Sequence, residues 1–285
     1  MSWEVHHGDC IPHMLEDMEP ESMDCSIFSP PFPSMYAYTD SVADIGNVDS
    51  FGAESQIHLG FMFAGLRRVM KPGRVVIVHC CQIPAMKRTG EVGMHDFRGI
   101  LIRLGQRAGL IYEYDWSVRK NPQSQAIRTR SRELQFAGLE SDRAKSRGAI
   151  PDYLIKFRQP GDNDTPINSR NQVSREQWIQ WAEPAWMDIR ETDTLNTAEA
   201  KTENDTKHIC PLQLGVIERL VRLYSNPGEI VFSPFTGIGS EGVVAIANDR
   251  NFYGCELKSE YHAAAERNLR RQVETMALES QESLF

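Results

Sequence analysis

Apolar positions fall into short strand-like runs and longer stripes of helical period, and the two alternate along most of the chain. Trp3–His6 reads as a first strand, with Gly8-Asp9 behind it and a helix from Ile11. Asp24–Phe28 is a second strand that runs straight into Ser29-Pro30-Pro31-Phe32. Leu59, Met62, Phe63, Leu66, Val69 and Met70 share one stripe of a helix over Ile57–Met70. Lys71-Pro72-Gly73 is expected to stop that helix before a buried strand, Arg74–Val78. A helix over Phe97–Ala108 and a strand over Tyr112–Val118 follow. Alternation of this kind predicts an α/β sheet.

Regularity fails from about 121 to 150, where the chain is polar and basic. Tyr153–Phe157 resumes a strand, and the chain from Gln159 to Asp205 is polar again. Its exception is a short helix with Trp178, Trp181 and Trp186 close together, expected as a small satellite core rather than a base-stacking platform. The last third is regular. Leu212, Val216, Ile217, Leu220, Val221 and Tyr224 face inward from a helix over Pro211–Tyr224, which Asn226-Pro227-Gly228 ends. The strand Glu229–Phe232, a glycine loop, a helix over Glu241–Asn248, the strand Phe252–Glu256 and a terminal helix from Ser259 complete the pattern. The tail, 277–285, is expected to fray.

Composition narrows the class. The hydrophobic share is 41% and the charged share 25%, ordinary for a globular protein. No apolar run reaches the roughly 20 residues of a membrane span, so no membrane partner is expected. Six Cys at irregular spacing, without a CxxC pair, suggest reduced thiols in a cytoplasmic setting and no structural metal. A net charge of -8 argues against a protein whose main task is to coat nucleic acid. Charge is uneven, however: eight basic residues stand against three acidic ones between Arg119 and Arg147. Lys120, Arg128, Arg130 and Arg132 are the candidate phosphate contacts, the three Arg alternating so that an extended segment puts them on one side. A solvated surface loop explains the charge alone equally well.

Ser233-Pro234-Phe235-Thr236-Gly237-Ile238-Gly239 joins a strand to a helix, where glycines let backbone approach a ligand closely. The next strand ends in Glu256, whose carboxylate can accept from a ribose diol. A nicotinamide dehydrogenase competes for this pattern, but its third glycine spacing is missing. His6, His7 and His79 show no ligand spacing and read as structural; Asp40, Asp44 and Asn47 read as solvated loop polars.

Ser29-Pro30-Pro31-Phe32 after a strand resembles the catalytic motif of the DNA amino-methyltransferases, which modify adenine N6 or cytosine N4. The resemblance extends to the end of the chain. His208-Ile209-Cys210-Pro211-Leu212-Gln213 stands where that family has a His-Pro-Thr-Gln-Lys-Pro-like element. The loop from Ser233 to Gly239 is similar to its Asp-Pro-Phe-x-Gly-x-Gly, and Gly254-Cys255-Glu256-Leu257 to its Gly-Ile-Glu-Leu. Gly8-Asp9-Cys10 looks like the element whose acid approaches the cofactor's adenine.

The resemblance implies a doubly wound, Rossmann-like α/β sheet that binds S-adenosylmethionine through Asp9, His208, Ser233, Phe235, Thr236, Gly237, Gly239 and Glu256. It implies that Ser29 and Pro30 supply acceptors to the target amine, with Pro31 completing the turn and Phe32 stacking on a base flipped out of double-stranded DNA. The catalytic motif precedes the cofactor loop, the order of the permuted β group, so a catalytic domain of 1–120 and 208–276 is expected around an inserted recognition region at 121–207. Members of that group often dimerise, which makes a homodimer an expectation here. Ser at the first motif position slightly favours cytosine N4 over adenine N6. Ser233 in place of the family's Asp leaves a catalytically silent DNA-binding relative as the alternative, and similar motifs also serve RNA and protein substrates.

Overall fold

The computed structural model describes residues 1–33, 44–47, 52–85, 93–129, 134, 138–140, 142–144, 146–168, 172–197 and 211–282. Strands β1 (Trp3–His7), β2 (Met23–Phe28), β3 (Met70–Cys81), β6 (Ile111–Val118), β7 (Asp152–Arg158), β8 (Ala185–Trp186), β9 (Ile230–Ser233) and β10 (Asn251–Glu256) form one sheet in the order β1-β10-β9-β2-β3-β7-β6-β8. A hairpin of β4 (Ile83–Pro84) and β5 (Met94–His95) stands apart. The strands from β1 to β3 are parallel, and β7 pairs antiparallel with both β3 and β6. The parallel strands therefore deliver their C-terminal ends to one rim, and β7 begins there.

Helices cover both faces. α1 (Cys10–Pro12) with the π-turn His13–Asp17, α2 (Ala53–Val69) and α3 (Phe97–Arg107) pack on one face, where Val76, Val78 and Cys80 of β3 meet Met62, Phe63, Leu66 and Phe97. α6 (Leu214–Tyr224), α7 (Ser240–Ala247) and α8 (Ser259–Glu282) cover the other, where Val75 and Ile77 meet Val216, Ile217, Leu220 and Val244. Period-2 side-chain alternation puts apolar atoms on both faces of β3, which is why it reads as a continuous apolar run.

Several elements depart from the pattern. Lys71-Pro72-Gly73 lies inside β3, not between helix and strand: Met70 already pairs with Met23, and the register shift before Cys25 absorbs the extra residues. Gly73 takes φ 71°, and a Cβ there would lie 2.6 Å from the Asn163 amide nitrogen. The irregular basic stretch opens with a helix, α4 (Pro122–Thr129). Asn121 Oδ1 accepts from the Gln123 and Ser124 N–H groups, so Asn-Pro here is a cap followed by proline in the first turn. The span 121–207 also supplies β7 and β8 to the main sheet. The helix α5 (Arg175–Trp181) carries Trp178 exposed, while Trp186 on β8 packs on Trp116 in the main core. Trp181 and Trp186 hold the Arg219 guanidinium over their rings, and Trp186 belongs to the sheet's own core while Trp178 stays exposed, so the three do not form a separate core. The expected frayed tail is helical as far as Glu282, because Ala277, Leu278 and Glu279 are good helix formers.

Candidate active site

The rim receives the ends of β1, β10, β9 and β2 side by side. Phe232 of β9 pairs with Ser26 of β2, so the glycine loop and Ser29-Pro30-Pro31-Phe32, about 200 residues apart in the chain, leave adjacent strands. Phe235 of the loop contacts Phe28 at 5.8 Å between ring centroids. Phe32 is half-buried with its edge against Phe97, 5.6 Å away. On the other side His7 of β1 pairs with Glu256 of β10, and Gly8 N–H donates to the Glu256 carbonyl. Asp9 caps α1, its Oδ1 accepting from Ile11 N–H at 2.9 Å. Asp9, Ser233–Gly239, Glu256 and Ser29–Phe32 thus gather at one place.

The loop is built by its backbone. Gly237 and Gly239 take φ 55° and 94°, which favour glycine. Thr236 is buried, its N–H bonded to the Cys255 carbonyl, and a Cβ on Gly254 would lie 2.1 Å from its Oγ1. Gly237 N–H donates to Glu256 Oε2 at 2.8 Å and Lys258 N–H to Oε1 at 2.9 Å. Burial nonetheless pushes the Glu256 carboxyl up to about 7, with the neighbouring Asp44 adding repulsion. Glu241, in the first turn of α7, is pushed up to about 8 by burial, and Glu256 adds repulsion.

Asp9 and Asp44 stand near the raised carboxyls of Glu241 and Glu256, and a cationic ligand at this loop would favour their ionised forms. Among the described residues, a Cβ on Gly237 would meet nothing within 4 Å, and the buried hydroxyls of Ser233 and Ser240 have no hydrogen-bond partner. Open space, unpaired hydroxyls and a carboxylate with lone pairs to spare fit a cationic nucleoside cofactor such as S-adenosylmethionine.

Asp44, expected as a solvated loop polar, is buried, with Oδ1 accepting from Gly46 N–H at 2.9 Å. Lys120 was expected among the phosphate contacts; its side chain is buried, with Nζ 2.5 Å from Asp152 Oδ2. Arg128 lies in α4, so the extended spacing of the three arginines fails at its first member. Arg130, Arg132, His208 and Asp40 lie outside the described residues. His79, expected as structural, is at the site: its Nδ1 is 3.1 Å from Ser29 Oγ and its Nε2 3.0 Å from Asp152 Oδ2. Spacing gave no hint of this, nor of Glu241, because these residues meet only through strand register and helix packing. Among the described residues no three His, Cys, Asp or Glu cluster to hold a metal, and no helix is long and apolar enough to cross a membrane.

Comparison with known proteins places the chain in a family. A DNA methylase family model, N6_N4_Mtase, matches residues 23–267. Type II methyltransferase M.BglI of Bacillus subtilis is 30% identical over 118 residues, 41% of this chain and 30% of that protein. The chain therefore aligns with less than a third of the length of that relative. Among solved structures, the putative DNA modification methylase TTHA0409 of Thermus thermophilus, complexed with S-adenosyl-L-methionine, superposes at a TM-score of 0.67, with 18% identity and 96% of each chain covered. The cytosine-N4-specific PvuII DNA methyltransferase gives 0.67 at 18% identity, covering 94% of this chain and 86% of that one.

Proposed function

This chain belongs to the N6_N4_Mtase family of DNA methylases, and from that premise we propose that it transfers a methyl group from S-adenosylmethionine to the exocyclic amine of a base flipped out of double-stranded DNA. The observation that carries the reading is the delivery of Ser29-Pro30-Pro31-Phe32 and the glycine loop to adjacent strand ends, with Phe28 against Phe235.

S-adenosylmethionine is the family's cofactor and supplies an electrophilic methyl group on a sulfonium. Glu256 would accept from its ribose, Asp9 from its adenine amine, and Ser233, Phe235, Thr236, Gly237 and Gly239 would line its cradle. An exocyclic amine is a weak nucleophile because its lone pair is delocalised into the ring. Ser29 Oγ and the Pro30 carbonyl, aimed at its two N–H groups, draw the nitrogen toward tetrahedral geometry and free the pair for in-line attack. Pro30 is suited to this, since its ring fixes the backbone and it offers no competing N–H. Phe32 supplies a face for the flipped base. Arg128, Arg130 and Arg132 remain the proposed phosphate contacts. Ser29 at the first motif position favours cytosine N4 over adenine N6.

Label transfer from methyl-tritiated S-adenosylmethionine to duplex DNA tests this, with mass spectrometry of the digested nucleosides. N4-methyldeoxycytidine is expected, reduced by at least ~10²-fold in Ser29→Ala. N6-methyldeoxyadenosine would move the target base, and no label in DNA despite cofactor binding would sink the reading.

A further inference from the structure

Beside the proposed site the sheet lines up four polar side chains on four neighbouring strands. Phe28 of β2 pairs with Val78 of β3, so the next residues, Ser29 and His79, come level. Cys81 of β3 pairs with Asp152 of β7, which puts Asp152 diagonal to His79 on the same face. Val118 of β6 pairs with Asp152 in turn, and Lys120 follows two residues on. The contacts run in the same order: Ser29 Oγ to His79 Nδ1, 3.1 Å; His79 Nε2 to Asp152 Oδ2, 3.0 Å; Asp152 Oδ2 to Lys120 Nζ, 2.5 Å. Exposure falls away from the site, since the His79 side chain is 13% exposed, Asp152 9% and Lys120 8%. The His79–Asp152 contact is at ion-pair distance without the alignment of a hydrogen bond.

A hydroxyl is both donor and acceptor, and Ser29 serves the target amine only as an acceptor. Its own proton must therefore point elsewhere. His79 Nδ1 is placed to take it when Nε2 carries the ring proton, and the negative charge of Asp152 beside Nε2 favours that tautomer. Burial pushes the Asp152 carboxyl up, but His79 and Lys120 more than offset this and hold it below its ordinary value, so it stays ionised.

We propose that His79, oriented by Asp152 and Lys120, is a positioning residue for Ser29: it fixes Oγ as an acceptor and takes the proton that the amine releases. The inference rests on the methyltransferase reading. A methylated amine is cationic and must shed one proton. That proton passes to Ser29 Oγ while the hydroxyl proton moves to His79 Nδ1, leaving Ser29 neutral and an imidazolium against the Asp152 carboxylate. Solvent takes the extra proton after the product leaves.

The tautomer can be read without DNA or cofactor, by nitrogen NMR of the full chain labelled with ¹⁵N-histidine, with His79 assigned through His79→Asn. Nδ1 is expected to be unprotonated and hydrogen-bonded, Nε2 protonated, and the Nδ1 resonance to move in Ser29→Ala, a variant that leaves the strand intact. A ring protonated at Nδ1, or a resonance indifferent to Ser29→Ala, overturns the proposal. In turnover, Asn at 79 keeps an acceptor near the Nδ1 position but takes no proton. His79→Asn is expected to lower kcat by ~10²-fold with the cofactor KM within about twofold, and Ser29→Ala is expected to cost less in that background than in the wild type. Unchanged kcat, or a loss wholly in KM, also overturns it. A wild-type chain that labels no DNA refutes the function proposed above, while the tautomer still answers for the relay.

Discussion

The two rims of the sheet are made of the same residue types and treat them in opposite ways. At the N-terminal rim Asp24 is buried, its Oδ1 accepting from Lys71 Nζ at 2.7 Å and its Oδ2 from Ile230 N–H at 2.9 Å. Arg74 Nη1 reaches Glu229 Oε2 at 3.0 Å and Nη2 reaches Oε1, and both oxygens also accept from Asn226. Burial pushes Glu229 up, but Arg74 and Asn226 outweigh it and keep the carboxyl below its ordinary value. At the C-terminal rim burial wins instead, lifting Glu256 to about 7 and Glu241 to about 8, and the Ser233 and Ser240 hydroxyls lack partners among the described residues. Apart from Gln159 Oε1, the buried side-chain polar groups of the first rim are paired inside the protein among the described residues. The second keeps buried hydroxyls that have no partner among the described residues, and such local cost is a mark of function.

If that contrast is right, the rims fail differently, and the largest effect belongs to the satisfied one. Arg74→Met removes the cation shared by Asp24 and Glu229 and leaves buried carboxylates short of charge. A loss of about 3–5 kcal/mol is expected in denaturant unfolding, with unchanged cofactor affinity for the molecules that remain folded. A loss below about 1 kcal/mol would mean that Lys71 and Asn226 suffice.

Glu256→Gln is the mirror experiment. It removes a charged acceptor, so S-adenosylmethionine should bind ten- to a hundredfold more weakly by calorimetry, the range of roughly 1.5–3 kcal/mol for a charge-assisted hydrogen bond. Stability should move the other way with pH. A carboxyl held near 7 when folded and near its ordinary value when unfolded contributes stability that is fully present below about pH 4.5 and lost as pH rises through 7. Gln does not titrate, so the variant should gain on the wild type between pH 5 and 8. Wild-type cofactor affinity should also weaken below pH 7 as Glu256 protonates, and the variant's should not. Glu241 is present in both proteins and largely cancels from the comparison.

The contrast also explains what was legible in the sequence. Ser29-Pro30-Pro31-Phe32 and the Ser233–Gly239 loop could be read because each is contiguous and its work is done by backbone. The alternating pattern gave the parallel strands because β2 and β3 are buried on both faces. His79, Asp152 and Lys120 could not be read, since each stands on a different strand and only register brings them level. Lys120 looked like part of a basic surface because charge counts carry no information about burial. The first turn of α4 is signalled by Asn121-Pro122, a cap set within a stretch whose polar composition resembles a loop.

The smallest effect tests whether the open space by the loop belongs to a ligand. Gly237 has φ 55°, so Ala there carries the left-handed strain of about 1–2 kcal/mol, and no clash with a described residue adds to it because its Cβ would meet none of them within 4 Å. Gly254 is the counterexample, where a Cβ would lie 2.1 Å from Thr236 Oγ1 and the fold itself must yield. Gly237→Ala should therefore unfold only slightly earlier than the wild type, while its methyl group stands where the cofactor would approach the loop. At a temperature where both proteins are folded, about a tenfold loss of S-adenosylmethionine affinity is expected. Affinity within twofold of wild type would mean that the ligand approaches the rim elsewhere, and that Gly237 serves the turn alone.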